Sequence, residues 1–479
     1  MCRSTTMKLF CATPCALLLS LVIPLAAVPA TAQAQSDAKA CVANVAPYRF
    51  LRDLEDFSFL RDPACRTDVF DGVKHLAFSE DGKRFVTLGG DLRLQLVNAR
   101  YLSFGTEGGD NHDVTLERIH LHASMRFSPA LRIFTELKSN DEQNREPAAL
   151  AIDVNRLDLH QAFADFGTGE TSQLRIGRQE LVYGSGRRIF PRNGPNVRGS
   201  LDAVRWMTHA ANWRLDAFTF RPVEIDRGVF DDSKINTQAF WGLYGTGAVL
   251  AWTPLRLDVY YIGAHRKVAR FSQGVAIEHR HSIGGRLFGT SGAWDFDHEL
   301  TLQWGNFGQA SIKAWSATGE TGYSWIGAQG RPRLSMRLAI GSGDRDPKEP
   351  GLQTFNAFFP RGGVVSEGFN VSPANAMQAR LALDVDLAPS LKAITALETL
   401  SRTSLRDGIY GPGGNLLRAP GTSMARHVGD DIDASLVWKI DRHATLSFAF
   451  GHFRSGRFIH ESGAPRDMRF ATVTCFYRF

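Results

Sequence analysis

The sequence predicts an all-β protein: a single transmembrane antiparallel β-barrel of about 18 strands, preceded by a signal peptide. Three observations predict it. An apolar leader occupies residues 16–28, a period-two alternation of apolar and polar residues recurs from about residue 84 onward, and the chain closes on ATVTCFYRF, a segment with one apolar face and a terminal phenylalanine.

Residues 1–34 come first. Arg3 and Lys8 form a short positive region, Ala16 to Val28 (ALLLSLVIPLAAV) is apolar, and Ala32-Gln33-Ala34 offers small residues at the two positions a signal peptidase reads. The apolar run is too short for a stable spanning helix, so cleavage after residue 34 is the expectation. Cys11 and Cys15 precede the apolar core rather than sitting at the cleavage site, which argues against lipoprotein processing.

Removing 1–34 takes away two basic residues and no acidic one from totals of 55 and 49, leaving 53 against 49. That balance gives no support to nucleic-acid binding. Of six cysteines, Cys41, Cys65 and Cys475 remain; Cys41 and Cys65 are a candidate pair in an oxidising compartment. Residues 35–83 form a mixed-charge N-terminal segment, either periplasmic or tucked into the pore, and 84–479 would be the barrel.

The alternation is the main signal. Leu92, Leu94 and Leu96 alternate with Arg93 and Gln95, and Ile119, Leu121, Ala123 and Met125 with Arg118, His120, His122 and Arg126. Leu131, Ile133 and Leu137 stand opposite Arg132, Glu136 and Lys138. Downstream, Val259 and Tyr261 oppose Asp258, Met336 and Leu338 oppose Arg337, and Leu381 and Leu383 oppose Arg380 and Asp384. Trp241, Trp252, Tyr260 and Trp438 are candidates for the aromatic girdles of a barrel. A soluble sandwich also alternates. The leader, the terminal Phe479 and the absence of a break favour one closed barrel, and about 22 residues per strand with its turn give about 18 strands. Gly/Pro/Asn-rich stretches at 183–199, 341–375 and 407–426 read as long loops, which in barrels serve constriction or gating. Phe479 resembles the C-terminal signal that the bacterial barrel-assembly machinery recognises.

Residues 175–205 (RIGRQELVYGSGRRIFPRNGPNVRGSLDAVR) hold seven arginines and no lysine. Guanidinium groups stay charged at biological pH and bind carboxylates through two parallel hydrogen bonds. Arg187, Arg188, Arg192 and Arg198 are the first candidates to line a constriction; Arg178 and Arg175 follow, in strand context. Asp202, Glu180 and Arg205 are candidate lumen supports. The same arginines would serve equally as braces paired with lumen carboxylates, because buried charges are rarely left unpaired.

Other constellations carry less. His120 and His122 share a polar face, but no third ligand has supporting spacing, so hydrogen bonding is expected and no metal. Asp344 and Asp346 in GSGDRDP are too few oxygens for calcium. No G-x-S-x-G occurs and Ser185 lies between glycines, so an outer-membrane barrel enzyme is a remote alternative. No cofactor is implied.

The words GRQELVYGSGRRIFPRNGPNVRGSLDAVR, FRPVEIDRGVFDD (220–232), RLDLHQAFADF (156–166), GSGDRDPKEPGLQTFNAFFPRG (341–362) and HVGDDIDASLVWKIDRHATLSFAFGHFRSGRFI (427–459) resemble the alginate-export family of outer-membrane barrels. They run in order from about residue 89 to the C-terminus. The resemblance implies an 18-stranded monomeric pore in the bacterial outer membrane, with a cationic constriction passing an anionic polysaccharide. It also implies a periplasmic polysaccharide synthesis complex as partner. A general or acid-specific porin taking up small anionic solutes is the rival expectation.

Overall fold

The computed structural model describes residues 48–102, 104, 111–146, 148–249, 253–362 and 371–479. The expected leader, Cys41 and Trp252 lie outside them. Cys65 is disulfide-bonded.

Eighteen barrel strands follow in chain order: β1 Phe85–Arg100, β2 His112–Ser128, β3 Leu131–Gln143, β4 Asn155–Thr168, β5 Ser172–Gln179 and β6 Leu201–Ala210. Next are β7 Trp213–Pro222, β8 Gln238–Ala248, β9 Arg256–Phe271, β10 Gly274–Ser291, β11 Trp294–Phe307 and β12 Ala310–Ser324. The circuit ends with β13 Arg333–Gly341, β14 Ala376–Ala388, β15 Leu391–Arg402, β16 His427–Lys439, β17 Ala444–Ser455 and β18 Met468–Arg478. Each strand pairs antiparallel with the next. The ring closes where β18 pairs with β1, from Asp91↔Arg478 to Arg100↔Arg469. Closure leaves no sheet edge for hydrocarbon to face.

The alternation read in the sequence fixes which face is which, and burial is inverted relative to a soluble protein. Leu243 is 60% exposed and Leu397 56%, whereas Arg118 and Lys138 are 1% exposed and His120 0%. Apolar side chains cover the outside and a packed polar network fills the inside, as a membrane barrel requires. Trp438, Trp206, Trp294 and Trp304 are outward and exposed. Tyr260 is not part of a girdle. It faces inward, 3% exposed, and its hydroxyl donates to Glu299 Oε1 at 2.7 Å. Period-two parity explains the correction: Val259 and Tyr261 face lipid, so the residue between them faces the lumen.

Short turns, such as 129–130 and 292–293, gather at one end of the barrel, with the end of β18 and the start of β1. Most long connections gather at the other: 180–200, 223–237, 342–375 and 403–426. By the usual polarity of such barrels the short-turn end is periplasmic.

Residues 48–74 pack against lumen-facing groups near that end. Arg52 Nη1 donates to the Gly90 carbonyl at 2.8 Å and its Nη2 to a terminal oxygen of Phe479 at 2.9 Å, bridging the β1–β18 seam. Arg175 Nη1 donates to Asp53 Oδ2 at 2.6 Å, and Arg132 Nη1 to the Asp53 carbonyl at 2.6 Å.

Candidate functional site

The connection 180–200 turns inward and crosses the lumen. Gly184 and Gly186, with φ of +56° and +79°, let the chain turn where a side chain would meet Tyr244 or Phe190. On one side Arg118 of β2 holds the loop: its Nε donates to the Asn196 carbonyl at 2.7 Å, Nη1 to Asn193 Oδ1 at 2.8 Å and Nη2 to the Pro195 carbonyl at 2.8 Å. Arg93 Nη2 adds a bond to Asn196 Oδ1 at 2.9 Å. On the other side Arg187 reaches Asp297 at 2.7 Å and Glu299 at 3.2 Å on β11. Strands β2 and β11 stand opposite each other in an 18-strand ring, so the loop spans it.

A second inward segment is stitched to the first. Ile189 forms a parallel bridge with Phe359, Phe359 N–H donates to the Arg188 carbonyl at 3.0 Å, and Arg361 N–H donates to the Gly186 carbonyl at 2.9 Å. The N-terminal segment 48–74 meets them from the short-turn end: Phe50 stacks on Phe190 at 5.2 Å, and the Arg198 guanidinium lies 4.4 Å from the centre of the Phe50 ring.

The arginines singled out in the sequence do different things. Arg188 Nε lies 3.5 Å from Glu299 Oε1, and its nitrogens donate to Thr301 and Ser316 hydroxyls. Arg198 Nη2 pairs with Glu180 Oε2 at 2.6 Å. Arg178 pairs with Asp202 at 2.9 Å, Arg175 with Asp165 at 2.7 Å and with Asp53, and Arg205 with Asp216. Arg192 differs: it is exposed, and among the described residues its side chain has neither ion pair nor hydrogen bond.

Arg192 lines a cavity of about 240 Å³ between the inward loops, whose walls include Phe190, Phe240, Phe358 and Phe359. Two further lining residues carry unmet polar atoms: Asn356 Nδ2 and Ser200 Oγ are buried without hydrogen-bond partners. Buried donors are nearly always satisfied, and these two stand out as exceptions in the cavity lining. The sequence reading missed Asn356 and Ser200. The FFP run at 358–360 was a usable signal, because two adjacent aromatics in a Gly/Pro-rich loop have no strand face to occupy.

Farther along the same inward segment, Asp344 N–H donates to Asp407 Oδ2 at 2.9 Å and Gln273 Nε2 donates to Asp344 Oδ2 at 2.7 Å. Burial pushes the Asp344 carboxyl up to about 6, and the Asp407 carboxylate adds to the rise.

This closed barrel, with apolar wall, polar interior and inward loops, defines the class of an outer-membrane porin-like channel. The alginate-export family model matches residues 84–474, and the chain belongs to that family. No curated protein matches its sequence. Among solved structures, Pseudomonas aeruginosa OpdK with vanillate superposes with a TM-score of 0.55 at 11% identity, over 82% of this chain and 98% of that one. OccK2 (OpdF) of the same organism, in complex with glucuronate, gives 0.55 at 13% identity, with the same coverage of 82% and 98%. A BenF-like porin from Pseudomonas fluorescens Pf-5 gives 0.56 at 11%, again over 82% and 98%. These likenesses confirm the barrel fold. The chain is a transport channel of the bacterial outer membrane and not an enzyme.

Proposed function

We propose that this channel passes anionic solutes passively, and that a carboxylate is received by Arg192, Asn356 and Ser200 in the cavity between the inward loops. The observation that carries the proposal is the guanidinium of Arg192, unpaired among the described residues, in a cavity whose lining also holds two unmet buried donors, in a loop whose other arginines are neutralised. Aromatic and proline walls suit a compact acid with an apolar body, while the guanidinium fixes its carboxylate. The second arginine of the lining, Arg266, is paired with Glu278, and a single unpaired cation favours entry without tight retention, which conduction requires. Vanillate and glucuronate, named with two fold relatives, are both carboxylates.

Family membership favours a second reading, passage of an anionic polysaccharide, in which Arg192 meets successive uronate carboxylates. That reading requires residues 48–74, Phe190 and the 342–362 segment to move out of the path. It also brings in a periplasmic polysaccharide synthesis complex. In either reading the barrel works as a monomer in lipid, inserted by the assembly machinery through Phe479.

Single-channel recording of the mature chain in planar bilayers tests both. Reversal potentials under a salt gradient are expected to show anion preference, reduced in Arg192→Ala. Block by benzoate but not by polyuronate fragments supports the compact-acid reading, and the opposite pattern the polysaccharide. Weakly selective current, unchanged in Arg192→Ala, would overturn the proposal and leave the arginines as braces.

A further inference from the structure

We infer that His120, Glu136 and His160 form a binding site for one divalent transition-metal ion of the zinc class in the lumen wall. The three side chains come from adjacent strands, β2, β3 and β4, and all are buried, with exposures of 0%, 1% and 0%. Each offers one ligand atom, and these atoms lie within 4.8 Å of one another.

The backbone makes this grouping possible through an irregularity. Pairing of β3 with β4 runs Glu136↔Gln161 and then Leu137↔Leu159, so His160 is an extra residue on β4. Such a bulge re-aims a side chain. Here it turns both His160 and Gln161 inward, where strict alternation would admit one of them. Gln161 Nε2 then donates to Glu136 Oε2 at 2.6 Å.

One pair of the candidate ligands already has the spacing of a coordination shell. His120 Nδ1 and Glu136 Oε1 are 3.2 Å apart. Ligands about 2.0–2.1 Å from a tetrahedral zinc are separated by about 3.3 Å. The His120 and His160 rings are 4.7 Å apart between centroids. Outer partners are also in place: Glu180 Oε1 lies 2.9 Å from His160 Nε2, and Glu180 is held in turn by Arg198. A carboxylate on the far nitrogen of an imidazole is the usual way to orient a ligating histidine.

The independent observation is what these groups lack. His160 Nδ1 is buried and, among the described residues, has no hydrogen-bond partner. A bare buried nitrogen within such a cluster is costly for a plain hydrogen-bond network. With Nε2 of His160 bonded to Glu180, its Nδ1 is left as a bare acceptor for a metal. Two imidazoles and one carboxylate suit zinc, nickel or copper rather than calcium or magnesium. Three protein ligands leave a fourth position for water. Bound there, the ion would join three strands and, through Glu180 and Arg198, the inward loop.

Tag-free barrel refolded with ZnCl₂ and dialysed against a weak chelator tests this by elemental analysis. About one zinc per barrel is expected, with coordination by two imidazoles in X-ray absorption. The measurement is made in a His265→Ala/His279→Ala background, because those outer-face rings lie 4.4 Å apart between centroids and offer a competing surface site. Glu136→Gln keeps the side chain's size and is expected to lower affinity roughly tenfold or more. His120→Leu/His160→Leu is expected to abolish binding. Heat-modifiable gel migration reports whether each variant has folded. A correctly migrating barrel that holds no zinc in the background variant overturns the inference. So does zinc retained at full affinity in folded Glu136→Gln.

Discussion

Arg188 and Arg192 belong to one inward loop, yet the structure gives them opposite surroundings. Arg188 is buried against Glu299, Thr301 and Ser316, while Arg192 stands at a cavity with no side-chain partner among the described residues. The difference teaches that arginine density in a sequence does not measure the electric field in a lumen. A guanidinium matched by a carboxylate is part of the wall; in the proposed function the unmatched Arg192 meets the solute.

The largest effect is expected where matching is removed. Glu299→Ala takes from Arg188 its carboxylate and from Arg187 one of two, and removes an acceptor from Tyr260; breaking such a buried pair costs about 3–5 kcal/mol. A lowered midpoint of urea unfolding would show it; an unchanged midpoint would mean that these pairs do not hold the loop. Next is Asp53→Ala, which takes a carboxylate from Arg175 and loosens residues 48–74. Single-channel conductance is expected to rise several-fold, and an unaltered value would mean that the segment does not limit current. Arg192→Ala should leave stability within about 0.5 kcal/mol of wild type, because none of the described residues holds the side chain. Its signature is a permeability ratio moving toward unity.

Asp344 extends the comparison to a carboxyl without a cation. Its folded pKa of about 6 lies above the ordinary carboxylate value, so the folded chain binds the proton more tightly than the unfolded one. Stability therefore falls as pH rises through that window. Proteolysis of the 342–362 segment is expected to be slower at pH 5 than at pH 7.5, a modest difference that Asp344→Asn should flatten.

Much of this architecture was legible in the chain. Alternation at 92–96, 118–126 and 380–387 located strands and assigned their faces, because one period governs the whole wall. Tyr260 was misread for want of applying that parity to an aromatic. The partners of Arg187 and Arg188 were not legible. Asp297 and Glu299 lie more than 100 positions away in sequence, and only barrel closure and loop reversal bring them together. His160 was hidden for a different reason: a bulge breaks the period on which the reading relies. Asn356 and Ser200 become informative only when their hydrogen bonds are counted.

The pairing of Ile189 with Phe359 has a mechanical consequence. Two loops joined by backbone bonds cannot yield one at a time, so a solute wide enough to displace either must displace both. Obstruction should then be all-or-none, and current records should show discrete steps between two levels rather than a continuum of partial openings.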